Sequence, residues 1–391
     1  MLALLLLSGV MAAHAATATP PRVFLLDRKM LEQARAGAGD PMLVKAVRTA
    51  AGKAMQEGPF SVMQKSITPP SGDKHDYMSQ APYFWADPKK PDGLPYIRRD
   101  GERNPEIRKI TDHDELGRMA EVVRVLALNY YLTDDTASGD RAALLLRTWF
   151  LDPATRMNPN LEFGQGIPGI NTGRGIGLIE TRGFTSVVDA VGLLAGSKDW
   201  TAADQKGMQQ WFTQFLNWMQ TSQKGWDEAA AKNNHGTYYD LQAADYALFI
   251  GRQNVAVAIL KSVSVKRITL QIEPDGRQPL ELARTKAFSY STGNLEGLME
   301  LALLGDEEGV NLWGFRTADG RCLRAALDFL LPYATEAKKW NYQQIGGFHG
   351  DDLLHPLLRA AAKFQDPEYI AAAKKMVASH QDASTLLIAL P

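Results

Sequence analysis

Residues 235–251 read HGTYYDLQAADYALFIG, and the fold class turns on this stretch. Past its polar mouth, apolar side chains recur at i, i+3 and i+4, the period of an amphipathic helix rather than the alternation of a strand. The same spacing returns in 115–133, 141–151, 185–196, 203–222, 254–272, 294–305, 322–334, 353–364 and 369–380. An earlier helix, about 27–56, opens at Asp27 in the manner of an N-cap. About eleven helices without convincing strand runs predict an all-α protein. Short linkers make helical hairpins, and the lack of a fixed-period repeat favours a closed (α/α) toroid over an open solenoid. One domain, 27–391, is expected.

Two segments break the pattern. Residues 57–112 and 152–177 are rich in Pro and Gly, and the first also carries Tyr77, Tyr83, Phe84, Trp85 and Tyr96. Stretches this long and this aromatic are expected to be ordered walls of a cleft rather than linkers. The G-x-G-x-x-G at Gly164–Gly169 is rejected as a dinucleotide site, because no strand precedes it and Pro168 stands where a helix would start. HGDDLLH, from His349 to His355, lacks the i, i+4 pairing of helical zinc sites, so Asp351 or Asp352 is expected to cap the next helix. No metal or cofactor is expected.

The chain has 391 residues, 45% hydrophobic and 22% charged, with a formal net charge of −1. That balance argues against a nucleic-acid binder, although a neutral total can hide a local basic cleft. Cys322 is the sole cysteine, which excludes an internal disulfide and a cysteine-based zinc site. MLALLLLSGVMAAHA (1–15) has the apolar stretch and A-x-A ending of a signal peptide, so export to the periplasm is expected. Residues 16–26 then read as a flexible mature start. The apolar run is short for a membrane span, so no membrane association is expected after cleavage.

The polar mouth of the opening stretch, Asn233-Asn234-His235, admits two readings: Asn234 as an N-cap, or a catalytic group held in place. A second cluster about fifty residues on, Glu281-Leu-Ala-Arg284-Thr-Lys286-Ala-Phe-Ser-Tyr290, favours the second. Together with SGDKHDYMSQAPYFWADP (71–88) and NTGRGIGLIETRGF (171–184), these pieces resemble the alginate lyase superfamily of helical-toroid polysaccharide lyases. The resemblance implies a groove holding an anionic chain of 1,4-linked uronates, cleaved by β-elimination. It places Asn234 and His235 at the substrate carboxylate, has Arg284 orient that group, and makes Tyr290 the donor to the leaving oxygen. The step from Arg284 to Tyr290 is one residue shorter than in the best-known alginate lyase branch. Gly236-Thr237 also replaces the aromatic that follows NNH there. Both departures point to a sister branch acting on polymannuronate or polyglucuronate.

The chemistry needs a group that neutralises the carboxylate, a base near C5–H and an acid at O4. In mannuronate and glucuronate C5–H and O4 share a ring face, so Tyr290 alone can take the proton and return it. An ordinary tyrosine titrates near ~10, however, and needs Arg284 or protonated His235 nearby to act as a base. In guluronate they lie on opposite faces, and His235 is the base and Tyr290 the acid. Further groove contacts are expected from Lys74, His75, Tyr77, His113, Arg174 and Asn233, with Trp85 or Trp226 stacking on sugar rings. Tyr238 and Tyr239 are expected to pack. Thr111 to Asp114 reads as a capping box. Two rivals remain: a glycoside hydrolase with paired carboxylates drawn from Glu180, Asp189, Glu281 and Glu296, or a non-catalytic periplasmic binder of acidic oligosaccharides.

Overall fold

The computed structural model describes residues 21–37, 41–378, 380 and 382–386; the expected signal segment lies outside them. In chain order the helices are α1 (Arg28–Arg35), α2 (Pro41–Ala54), α3 (Asp112–Thr133), α4 (Thr136–Leu146), α5 (Phe184–Leu193), α6 (Ala202–Thr221), α7 (Gln223–Ala229) and α8 (Asn234–Phe249). Then follow α9 (Gln253–Val263), α10 (Thr269–Gln271), α11 (Pro279–Leu282), α12 (Ala287–Glu307), α13 (Leu323–Ala334), α14 (Leu354–Phe364), α15 (Pro367–Val377) and α16 (Ala383–Leu386). Helix α3 packs on α5, α5 on α8, α8 on α12 and α12 on α14, which makes an inner row. Their chain neighbours α4, α9, α13 and α15 stand behind them as hairpin partners. Helix α16 returns to α2, which lies on α3. The fold is an all-α toroid.

Helix α8 is the hub, and its sequence explains why. Every residue from Asn234 to Phe249 except His235 is buried, so the helix is enclosed on all sides. Tyr238 and Tyr239 do pack: their hydroxyls donate to Gly293 O and Met219 O. Several boundaries differ from the sequence reading for local reasons. The expected 27–56 helix is two helices, α1 and α2, and Asp27 caps the first by accepting from Met30 N. Helix α12 begins seven residues before the expected 294, where the polar Ser289, Ser291 and Thr292 masked the period. Residues 22–26 are not a flexible start: the amides of Phe24, Leu25 and Leu26 all donate to buried Asp189.

The two long segments are ordered. Short strands β1 (Met78–Gln80) and β4 (Phe163–Gly166) pair in parallel, while β2 (Phe84–Trp85) and β3 (Ile97–Arg98) form an antiparallel pair. Fully buried Lys65 and Asp112 anchor the first segment at 2.9 Å. Lys65 also donates to Val62 O and Lys74 O, and Asp112 accepts from Met78 N. The capping box at Thr111 is not formed: Thr111 makes no side-chain cap, and Asp112 is taken up by this anchor. Asp351 and Asp352 cap nothing either: Asp352 accepts from Ser289, and Asp351 faces His380. No metal-ligating cluster occurs among the described residues.

Candidate active site

A cleft of about 760 Å³ opens between the inner helices and the two long segments. Asn233, Asn234, His235, Arg284 and Tyr290 all line it, so residues fifty positions apart do meet. His113 and Arg174 line it as well. The other expected contacts do not. Tyr77 is fully buried and donates to Glu180 at 2.6 Å. Lys74 reaches back to Met63 O, and His75 Nδ1 sits 2.6 Å from Arg156 O. Trp85 is tied to Glu102 O under Arg99, and Trp226 stands 54% exposed on α7, bound to Gln220 O.

The helix mouth is held by two buried carboxylates. His235 Nδ1 lies 2.8 Å from Glu228 Oε1, and Glu228 is fully buried on α7. Burial raises the Glu228 carboxyl above its usual range, against the pull of His235, Arg174 and Arg267. Glu281 takes both the backbone N–H and the side-chain Nδ2 of Asn234, each at 2.7 Å. Asn234 is therefore not the N-cap. Asn233 holds that position without a side-chain bond, and a carboxylate from α11 satisfies the open N–H instead. Arg267 ties α7 down by donating to Ala229 O, Ala231 O and Asp240. A Cβ on Gly236 would collide with that guanidinium, which is why glycine follows the histidine.

Across the cleft, Tyr290 hydrogen-bonds Tyr83 at 2.8 Å, and Arg284 lies over the Tyr290 ring, 3.8 Å from its centroid. Arg284 donates through Nε and Nη2 to Asp100, which also pairs with Arg98 and accepts from Thr285. Burial works to raise the Asp100 carboxyl, but Arg284, Thr285 and Arg98 outweigh it and hold it well below its usual range. As expected, Arg284 acts to lower the Tyr290 phenol, but not by enough to make that phenol a base. Burial and the Tyr83 hydroxyl push it far above its ordinary value, and the guanidinium sits on the ring face already paired with Asp100. Tyr290 keeps its proton.

Carboxylates suited to hydrolysis do not pair. Of the four candidates only Glu180 lines the cleft, and it accepts from Tyr77 and Ser79 while facing His113 at 3.5 Å. Burial opposes ionisation of Glu180, but the bonds from His113, Ser79 and Tyr77 keep its carboxyl below the usual range. Asp189 holds backbone amides, Glu281 holds Asn234, and Glu296 pairs with Arg359. Arginine dominates the walls: Arg98, Arg103, Arg174, Arg182 and Arg284 line the cleft against the carboxylates Glu121 and Glu180. The neutral total does hide a basic cleft.

The sequence reading missed Glu228, Asp100 and Arg267, and named Tyr83 only among the aromatics of a cleft wall. An acidic residue ahead of His235 was the one available signal, and nothing in its spacing singled it out.

Comparison with known proteins follows the same lines. A family model described as alginate lyase matches residues 61–340. An alginate lyase from Bacteroides ovatus is 40% identical, with 95% of this chain and 100% of that chain covered and a TM-score of 0.91. Alginate lyase A1-III from Sphingomonas species A1 shares the fold at 15% identity, covering 94% of this chain and 95% of its own, with a TM-score of 0.55. A histidine-to-alanine variant of alginate lyase A1-III complexed with a tetrasaccharide aligns over the same shares at 15% identity and a TM-score of 0.62. No curated protein matches in sequence.

Proposed function

Because the chain belongs to the alginate lyase family and is a polysaccharide lyase, we propose that it cleaves a 1,4-linked polyuronate, polymannuronate/alginate or glucuronan, by β-elimination in this cleft. One observation carries the reading: an imidazole seated on a buried carboxylate shares a basic cleft with a phenol that retains its proton. Elimination removes the C5 proton and expels the 4-linked oxygen, leaving a C4–C5 double bond. His235 gives its Nδ1 hydrogen to Glu228, which leaves the Nε2 lone pair as the base for C5–H. The carboxylate then steadies the imidazolium that forms. Tyr290, kept protonated by burial and Tyr83, delivers its proton to the leaving oxygen. The reaction resets when the imidazolium loses its proton and the phenolate regains one. Asp100 and Arg284 hold the Tyr290 ring in place.

Defined polymannuronate, polyguluronate and polyglucuronate, followed by ultraviolet absorbance of the conjugated double bond, test the reading. Absorbance rises on at least one of them and vanishes in Tyr290→Phe. New reducing ends without that absorbance would mean hydrolysis and sink the proposal. Export belongs to the same proposal: a periplasmic mature chain starting at Ala16 supports it, and a cytoplasmic chain retaining 1–15 refutes it.

A further inference from the structure

The arginines of the cleft are not equivalent. Arg98 and Arg284 share Asp100, Arg103 and Arg182 are exposed to solvent, and Arg174 is half-buried over the Phe84 ring at 5.1 Å. Arg174 is different. Its Nη2 donates to the neutral amide of Gln165 at 2.7 Å, and its Nε is buried without a hydrogen-bond partner. Glu180 and Glu228 favour its charge from a distance, yet burial wins and pushes its pKa down to about 10. A desolvated guanidinium without a contacting counter-ion is a costly arrangement unless an anion arrives.

The backbone holds this arginine firmly. Gln165 is buried and left-handed at φ 51°, a conformation that non-glycine residues adopt where the surroundings impose it. Its amide N–H is fixed on Ser79 Oγ at 2.7 Å. Glycines flank Arg174 because neighbouring chain leaves no room for a Cβ. At Gly173 it would strike Glu162 O, and at Gly175 it would stand 2.6 Å from Lys224 O and 3.2 Å from Glu228 N. The second contact is informative. Residue 175 is pressed against the backbone of Glu228, whose side chain seats His235. Arg174 therefore belongs to the wall that carries the base.

We propose that Arg174, presented by Gln165, rather than Arg284, binds the carboxylate of the uronate losing its C5 proton. The proposal rests on the polyuronate reading above. Negative charge builds on that carboxylate as C5–H breaks, and a cation without a counter-ion stabilises it more than one already neutralised by Asp100. Arg174 lines the cleft, and the Nη hydrogens it does not give to Gln165 remain for a carboxylate there.

Two substitutions test this, with rates followed by double-bond absorbance on the polyuronate the wild-type chain cleaves fastest. Arg174→Gln lowers kcat by roughly 10²–10³, with KM little changed and unfolding temperature retained. Gln165→Glu keeps the side-chain shape but sets a carboxylate on Arg174; it lowers kcat about tenfold or more while the fold becomes no less stable. A rise in KM with kcat intact for Arg174→Gln would assign the residue to a neighbouring sugar and overturn the proposal. So would a Gln165→Glu variant as fast as the parent, or kcat losses that track lowered unfolding temperatures. A wild-type chain that raises no absorbance on any polyuronate would strike the substrate reading instead.

Discussion

Replacing Glu228 with glutamine removes one charge and preserves the shape of the bond to His235. The two side chains meet at 2.8 Å, and Glu228 is fully buried. At an effective dielectric constant of about 20, full charges at that separation attract by ~6 kcal/mol. In a transition state where the proton is about half transferred, about half of that, ~3 kcal/mol, is at stake, or roughly 10² in rate. Glutamine still accepts the Nδ1 hydrogen, so the imidazole keeps its tautomer and the loss isolates the charge. Alanine removes both and is expected to cost more. Initial rates on the preferred polyuronate, with thermal unfolding of each variant alongside, give the comparison. If Glu228→Gln turns over as fast as the parent while folding normally, Glu228 has no part in proton transfer and His235 is not the base.

Tyr290, with its phenol raised by burial and Tyr83, stays protonated beyond the ordinary tyrosine range. The pH profile of kcat should therefore show no alkaline fall from loss of the acid below about pH 10; a fall well below that point would contradict the assignment. Asp100→Ala removes the carboxylate ties from the first long segment to Arg284 and Thr285 and should cost about 1–3 kcal/mol, seen as faster limited proteolysis between 81 and 110. Because the Asp100 carboxyl is depressed in the fold, its contribution is present above the unfolded value near ~4 and is lost as pH falls further. Cleavage of that segment should therefore quicken in acid. Lys65→Met strands the buried Asp112 carboxylate and should lower stability by about 3–5 kcal/mol in denaturant titration. Adding Asp112→Leu should recover part of that loss, since no charge is then left unpaired.

What the sequence made legible was set by how local its signals are. Helical period is a short-range pattern, so the inner helices could be read to within a few residues, save the polar start of α12. Helix α7 could not: QKGWDEA is seven residues long, with a glycine in its middle. It carries Glu228, and with the helix unseen the acid had no face to point from. Asp100 lies 184 positions from Arg284, and Tyr83 lies 207 from Tyr290. No spacing rule links such pairs, and only the ordered first segment brings them together. Lys74, His75 and Tyr77 were placed on the right segment but on the wrong side of it. That segment is anchored by Lys65 and Asp112: Lys74 gives its carbonyl to Lys65, while His75 turns to Arg156 O and Tyr77 to Glu180.

The mouth of α8 shows where local reasoning stops and why. A helix start has backbone N–H groups to satisfy, and an asparagine beside it was the economical answer. The fold meets the same need with Glu281, 47 residues away, and so leaves Asn234 and His235 free of capping duty. Glu281 grips the first of these residues and Glu228 the second, from opposite flanks of one helix end. Both carboxylates lie where the helix dipole favours negative charge, which offsets part of the penalty for burying them. A nearby Asn234 cap would have bound the mouth to itself. Acids on α7 and α11 bind it to those two elements instead, so the position of His235 depends on both. Hence changes at Gly236 or Arg267, neither of which was read as functional in the sequence, should disturb the base as surely as changes at Glu228.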